Sequence, residues 1–147
     1  MITRVVAIAL SALAGVALAQ VGTNKDLLDA NSASESELAT APHVDTALAA
    51  AIVARQPFAR VADLDDLLGE TLNPQQRGEL YARVFLGINL NTASPEEIRL
   101  IPGVTDRLVH EFEEYRPYTS LEQFRREIGK YVDAKEVARL ERYVTLD

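Results

Sequence analysis

The chain repeats itself at a fixed offset of 60 residues without a gap, and this limits its architecture more than any other feature. Asn31-Ser32-Ala33-Ser34-Glu35-Ser36-Glu37-Leu38 falls on Asn91-Thr92-Ala93-Ser94-Pro95-Glu96-Glu97-Ile98. The register persists through Pro42/Pro102, Val44/Val104, Leu48/Leu108, Pro57/Pro117, Phe58/Tyr118, Gly69/Gly129, Leu80/Leu140 and Val84/Val144. Turn residues, caps and apolar positions all keep step. Such periodicity marks a duplicated supersecondary unit, so the chain reads as two copies of one small module, at 20–86 and 87–147.

Each copy is expected to be four short helices, which makes the fold all-α. Ser94 caps the first helix of the second copy, with Pro95 at the first helical position and Glu97 placed to return a hydrogen bond; Ser34 and Glu37 repeat the box. These helices end by Pro42 and Pro102. Leu48, Ala51 and Ile52 in one copy, and Leu108, Phe112 and Tyr115 in the other, lie at helical spacing and predict a second helix that stops before Pro57 or Pro117. A third helix starts near Val61 or Ser120 and ends at Gly69 or Gly129, where a left-handed glycine would close it. The fourth begins at Asn73-Pro74 or at Asp133, where Glu136 completes a capping box, and runs to Val84 or Val144. Nothing alternates for long enough to predict a strand. The apolar connection Phe85-Leu86-Gly87-Ile88 predicts packed modules, since a flexible linker would be polar or rich in Gly and Ser.

Residues 1–19 belong to neither copy. Arg4 precedes the apolar run Val5 to Leu10, and Ala17-Leu18-Ala19 ahead of Gln20 has the small-x-small pattern of a signal-peptidase site. The run is too short to span a bilayer, so an exported, periplasmic or secreted product cleaved after Ala19 is expected. There is no cysteine, which excludes disulfides, thiolate metal sites and an N-terminal lipid anchor on Cys. Cleavage would take Lys+Arg from 15 to 14 against 22 Asp+Glu, a formal charge of −8. That balance opposes a broad grip on a polyanion. The second copy is the less acidic, and holds Arg99, Arg107, Arg116, Arg125, Arg126, Lys130 and Lys135.

The stretch Ile88-Asn89-Leu90-Asn91-Thr92-Ala93-Ser94-Pro95, followed by Ile101-Pro102-Gly103-Val104 and then Tyr115-Arg116, resembles the helix-hairpin-helix module of ComEA-type proteins, the exported or membrane-anchored DNA receptors of bacterial transformation. The resemblance covers nearly all of the second copy and, more weakly, the first. Similar openings occur in minor pseudopilins of type II secretion and in an extrinsic subunit of photosystem II. What the resemblance implies is a Gly-x-Gly turn whose backbone amides approach a phosphate, aided by the dipole of the following helix. Such contacts carry no sequence information.

Both hairpins depart from that pattern. Gly103 is kept, but Thr105 stands at the second glycine, either donating to a phosphate or capping a helix, and Asp106 follows with a carboxylate that would compete for the same amides. In the first copy Pro42-His43-Val44-Asp45 has no glycine, and its hairpin reads as structural. The candidate phosphate site is therefore Gly103, Val104, Thr105, Arg107 and Lys130, with Arg99 and Arg116 as secondary cations. Arg125 and Arg126 read as a solvated helix surface. His43 and His110 have no partner at metal-ligand spacing, and no nucleophile–base pair or nucleotide loop is present, so neither a metal, a cofactor nor an enzymatic activity is expected. Two functions stay open: an exported binder of double-stranded DNA that assists DNA uptake, and a non-catalytic protein–protein scaffold whose modules no longer bind DNA.

Overall fold

The computed structural model describes residues 27–147. The expected signal peptide and its cleavage point after Ala19 lie outside the described residues. Among the described residues eight helices dominate, and two pairs of very short strands accompany them. In the first half β1 (Leu28–Asp29) leads to α1 (Glu35–Leu38), α2 (Thr46–Arg55), α3 (Val61–Gly69), α4 (Pro74–Tyr81) and β2 (Val84–Phe85). The second half has the same order: β3 (Ile88–Asn89), α5 (Pro95–Arg99), α6 (Asp106–Glu114), α7 (Leu121–Ile128), α8 (Ala134–Glu141) and β4 (Val144–Thr145).

Most helix starts follow from their caps. Ser94 Oγ accepts from the Glu97 amide at 3.2 Å while the Glu97 carboxylate accepts from the Ser94 amide at 3.2 Å, and Ser34 with Glu37 does the same. Asn73 and Gln76 form a third box. The box expected at Asp133 is half made: Asp133 accepts from the Glu136 amide at 2.8 Å, but the Glu136 carboxylate grips Arg139 instead.

Three expectations need correction. Val84 and Val144 do not end helices; they lie in strands, where β2 pairs in parallel with β1 and β4 with β3. Two paired residues show no alternation, so the sequence has no strand period to reveal them. Neither Gly69 nor Gly129 is left-handed either. Gly69 is the last residue of α3, and Gly129 has φ −60°, with an added Cβ falling 2.6 Å from the Arg125 carbonyl oxygen. Crowding, not backbone handedness, selects glycine at 129.

The opening of each half is held to its middle by side chains that imitate backbone. Asn91 donates from Nδ2 to the Tyr118 carbonyl at 2.9 Å and accepts at Oδ1 from the Tyr118 amide at 2.6 Å. Asn31 makes the same pair with Phe58, at 3.0 and 2.7 Å. The residue before each cis proline completes the clamp: Arg116 donates to the carbonyls of Leu90 and Ala93 at 2.6 and 2.7 Å, and Gln56 to those of Ala30 and Ala33 at 2.8 and 3.0 Å. Backbone groups in these irregular stretches are thus paired without any regular ladder.

One buried apolar cluster runs through both halves, from Leu27 to Val144. Phe85, fully buried, stands edge-on to Tyr143 at 4.9 Å and to Tyr81 at 5.5 Å. The Tyr143 hydroxyl donates to the Tyr81 carbonyl at 3.0 Å. Each such aromatic contributes about 1.5–3 kcal/mol by leaving water. Beside them Arg60 reaches from the first half to Glu97, which is 4% exposed. The halves are packed together, as the apolar connection predicts.

Two outcomes test this account. Asn91→Ala should lower stability to urea by about 1–3 kcal/mol, because the Tyr118 amide and carbonyl lose their partner in a buried setting. The second concerns Glu97. Burial pushes its carboxyl up, but the Arg60 guanidinium and the Ser94 amide and hydroxyl favour the anion and leave it below the ordinary carboxylate range. A carboxyl depressed by folding contributes stability above its unfolded value of about 4.3, and that contribution disappears as pH falls through the folded value. Denaturation measured from about pH 6 down to about pH 2 should therefore show a shallower acid loss for Glu97→Gln than for the parent.

Candidate nucleic-acid interface

The hairpin between α5 and α6 is a tight turn followed directly by a capped helix. Ile101, Pro102, Gly103 and Val104 form the turn, closed by the Val104 amide donating to the Ile101 carbonyl at 3.2 Å. Gly103 has φ +77°, the left-handed value that the third residue of a type II turn requires. The first half makes the same turn with His43 at φ 66°, a position where a non-glycine is strained. Glycine at 103 was legible; histidine adopting the same conformation at 43 was not.

Thr105 is the N-cap of α6, and its Oγ1 accepts from the Leu108 amide at 3.3 Å. Asp106 does not compete for the turn. Its carboxylate is 88% exposed and points away to Arg99, at 3.0 Å. The amides of Gly103, Thr105, Asp106 and Arg107 have no hydrogen-bond partner among the described residues, whereas that of Val104 is spent in the turn. Four donors at the start of a nine-residue helix, with a glycine beside them, are an arrangement that can accept an oxyanion.

The cations gather around two tyrosines. The Tyr115 and Tyr131 hydroxyls are 2.8 Å apart, Arg107 lies over the Tyr131 ring at 5.0 Å, and Lys130 lies over the Tyr115 ring at 5.0 Å. Arg107 and Lys130, far apart in sequence, therefore share one face. Hydrogen bonding to Tyr115 and then to Glu111 pushes the Tyr131 hydroxyl above the ordinary phenol range. Lys130 also pairs with Glu127, which holds its ammonium above its usual value. Arg107 makes no ion pair among the described residues.

The remaining candidates separate. Arg99 is on the hairpin but tied to Asp106 and, more loosely, to Glu96. Arg116 is removed from the site: both of its contacts are to backbone carbonyls, and Gln56 performs the same task in the first half. Arg125 pairs with Glu141 and Arg126 with Glu127. Sequence reasoning missed Arg139. Its Nη2 lies 3.0 Å from where a Cβ on Gly103 would stand, so the guanidinium flanks the turn while Glu136 holds it from behind at 2.6 Å. Its signal was the offset: Glu79 occupies the matching position in the first half and binds His43 at 2.5 Å.

Comparison with known protein families, with curated proteins and with solved structures finds no match for this chain. No group of His, Cys, Asp and Glu that could hold a metal occurs among the described residues, and no described helix is long and apolar enough to cross a membrane.

Two glycines should respond oppositely to alanine. Gly103→Ala places a Cβ at a left-handed position and against Arg139, and should cost about 1–2 kcal/mol in chemical denaturation. Gly78, inside α4 with nothing near its missing Cβ, should gain up to about 1 kcal/mol on the same change.

Proposed function

We propose that this chain is an exported, sequence-independent double-stranded DNA-binding protein, built like ComEA-type proteins from two tandem helix-hairpin-helix modules behind a cleaved signal peptide. In this reading it assists DNA uptake in transformation. The carrying observation is the set of four unpartnered amides at Gly103, Thr105, Asp106 and Arg107, with the Asp106 carboxylate turned away onto Arg99. A phosphate oxygen would take the place of water on those amides, and Arg107, Lys130 and Arg139 would supply the positive field around it.

Only the second half is suited to this role. At the positions of Arg107, Lys130 and Arg139 the first half carries Ala47, Glu70 and Glu79. Its hairpin has equivalent geometry with the opposite charge. Binding through one hairpin and few cations would be weak, and rising salt would weaken it further in proportion to the phosphates contacted. No reacting group is asked of the protein, and no cofactor enters.

The scaffold reading draws support from the acidic first half and from the carboxylates that neutralise Arg99, Lys130 and Arg139. Fluorescence anisotropy of a labelled short duplex, titrated with salt, separates the two. The parent should bind at about 20 mM salt and release the duplex as salt rises. Arg107→Ala should reduce the slope of log affinity against log salt by about 1, and Arg107→Glu should abolish binding. Ala47→Glu in the first half should change neither. A parent that fails to bind even at the lowest salt leaves the scaffold.

A further inference from the structure

The second half fills the space beside its hairpin with its own side chains, whereas the first half leaves that space open. In the second half Tyr131, with Arg107 over its ring, lies between the start of α6 and the α7–α8 connection, and Tyr115, with Lys130 over its ring, closes the far end of α6 and meets Tyr131 through its hydroxyl. Their counterparts at the offset of 60 are Thr71, Ala47, Arg55 and Glu70. One aromatic has become a threonine and the other an arginine, while one cation has become an alanine and the other a carboxylate. The result is a cavity of about 280 Å³ between the start of α2 and the α3–α4 connection. Its floor is apolar, formed by Leu48, Ala51, Leu67 and Leu72, and Asp45 and Glu70 stand at its rim.

We propose that this groove docks a segment of a partner protein that presents an aromatic side chain next to an arginine or lysine. The same frame in the second half shows what the space holds: an aromatic ring carrying a cation on its face. Burial of a ring from outside would restore that packing, and its neighbouring cation would meet Glu70 where Lys130 now stands in the other half. Glu70 is exposed and makes no ion pair among the described residues, so it is free for that contact. Aromatic and arginine side chains are the usual anchors of protein interfaces, where the ring contributes area and the cation direction. Duplex DNA does not suit the groove, because the carboxylates face the phosphates with like charge. The inference stands independently of the nucleic-acid reading, since it concerns the other half and opposite chemistry.

The probe is a short labelled peptide holding one Arg-Trp pair in a Gly/Ser background, titrated into isotope-labelled protein and followed by amide NMR shifts. Saturable shifts are expected at Ala47, Ala51, Leu67 and Thr71. Glu-Trp and Arg-Ala versions of the peptide should each bind about tenfold or more weakly. The paired substitution Ala47→Arg with Thr71→Tyr restores the stacked cation and ring that Arg107 and Tyr131 form in the second half, fills the groove and should remove the shifts. Glu122→Lys alters the net charge by the same amount as Glu70→Lys at a distant site; Glu70→Lys should weaken the peptide and Glu122→Lys should not. The proposal is overturned if the Arg-Trp peptide causes no saturable shift, if the shifts spread evenly over the acidic surface, or if they survive closure of the groove. Displacement of the peptide shifts by equivalent shifts from a short duplex at the same amides would also overturn it.

Discussion

The carboxamides of Asn31 and Asn91 are the contacts on which each half depends. A short helix, a tight turn and a second helix do not by themselves fix where the chain goes next, because the stretches on either side have no ladder to join. Asn91 supplies one, giving Tyr118 both a donor and an acceptor, and Arg116 ties down the two carbonyls on either side of it in sequence. The approach to α5 is thereby fixed to the departure from α6. The turn between those helices is held at its base, and the amides of Gly103, Thr105, Asp106 and Arg107 stay without a hydrogen-bond partner among the described residues.

A shared frame lets the two halves diverge in charge without diverging in shape. Turn, cap and clamp recur at the same offsets, with His43 accepting the left-handed conformation that Gly103 takes freely. Around that frame the cations of the second half are replaced by Ala47, Glu70 and Glu79. Because the two aromatic supports change as well, the substitution alters volume along with charge, and the space filled by tyrosines beside one hairpin is an open groove with carboxylates at its rim beside the other.

What could be read in the sequence was whatever has a local cause. Caps at Ser34, Ser94 and Asn73 act within one helical turn, and the proline stops act within one residue, so the helices could be placed without tertiary knowledge. The repeat then fixed their number. What could not be read depends on groups brought together from afar. The strands contain two residues each and exist because Leu28 meets Val84 and Ile88 meets Val144. Arg116 read as a secondary cation of the phosphate site because nothing in its neighbourhood shows that Leu90 and Ala93 would come to it. Arg107 and Lys130 were both named for the phosphate site, although the tyrosine pair that joins them was not foreseen. Asp106 was judged by its position at a helix start, where its charge opposes an anion, but the side chain found Arg99 across the hairpin instead.

The parallel pairing of β1 with β2, and of β3 with β4, has a consequence for how such a unit multiplies. Because the opening and closing strands of a unit run side by side in the same sense, the polypeptide leaves travelling onward, and only Leu86 and Gly87 separate one closing strand from the next opening one. A further copy joined in frame would begin where the last one ends, after a step as short as the one from Phe85 to Ile88.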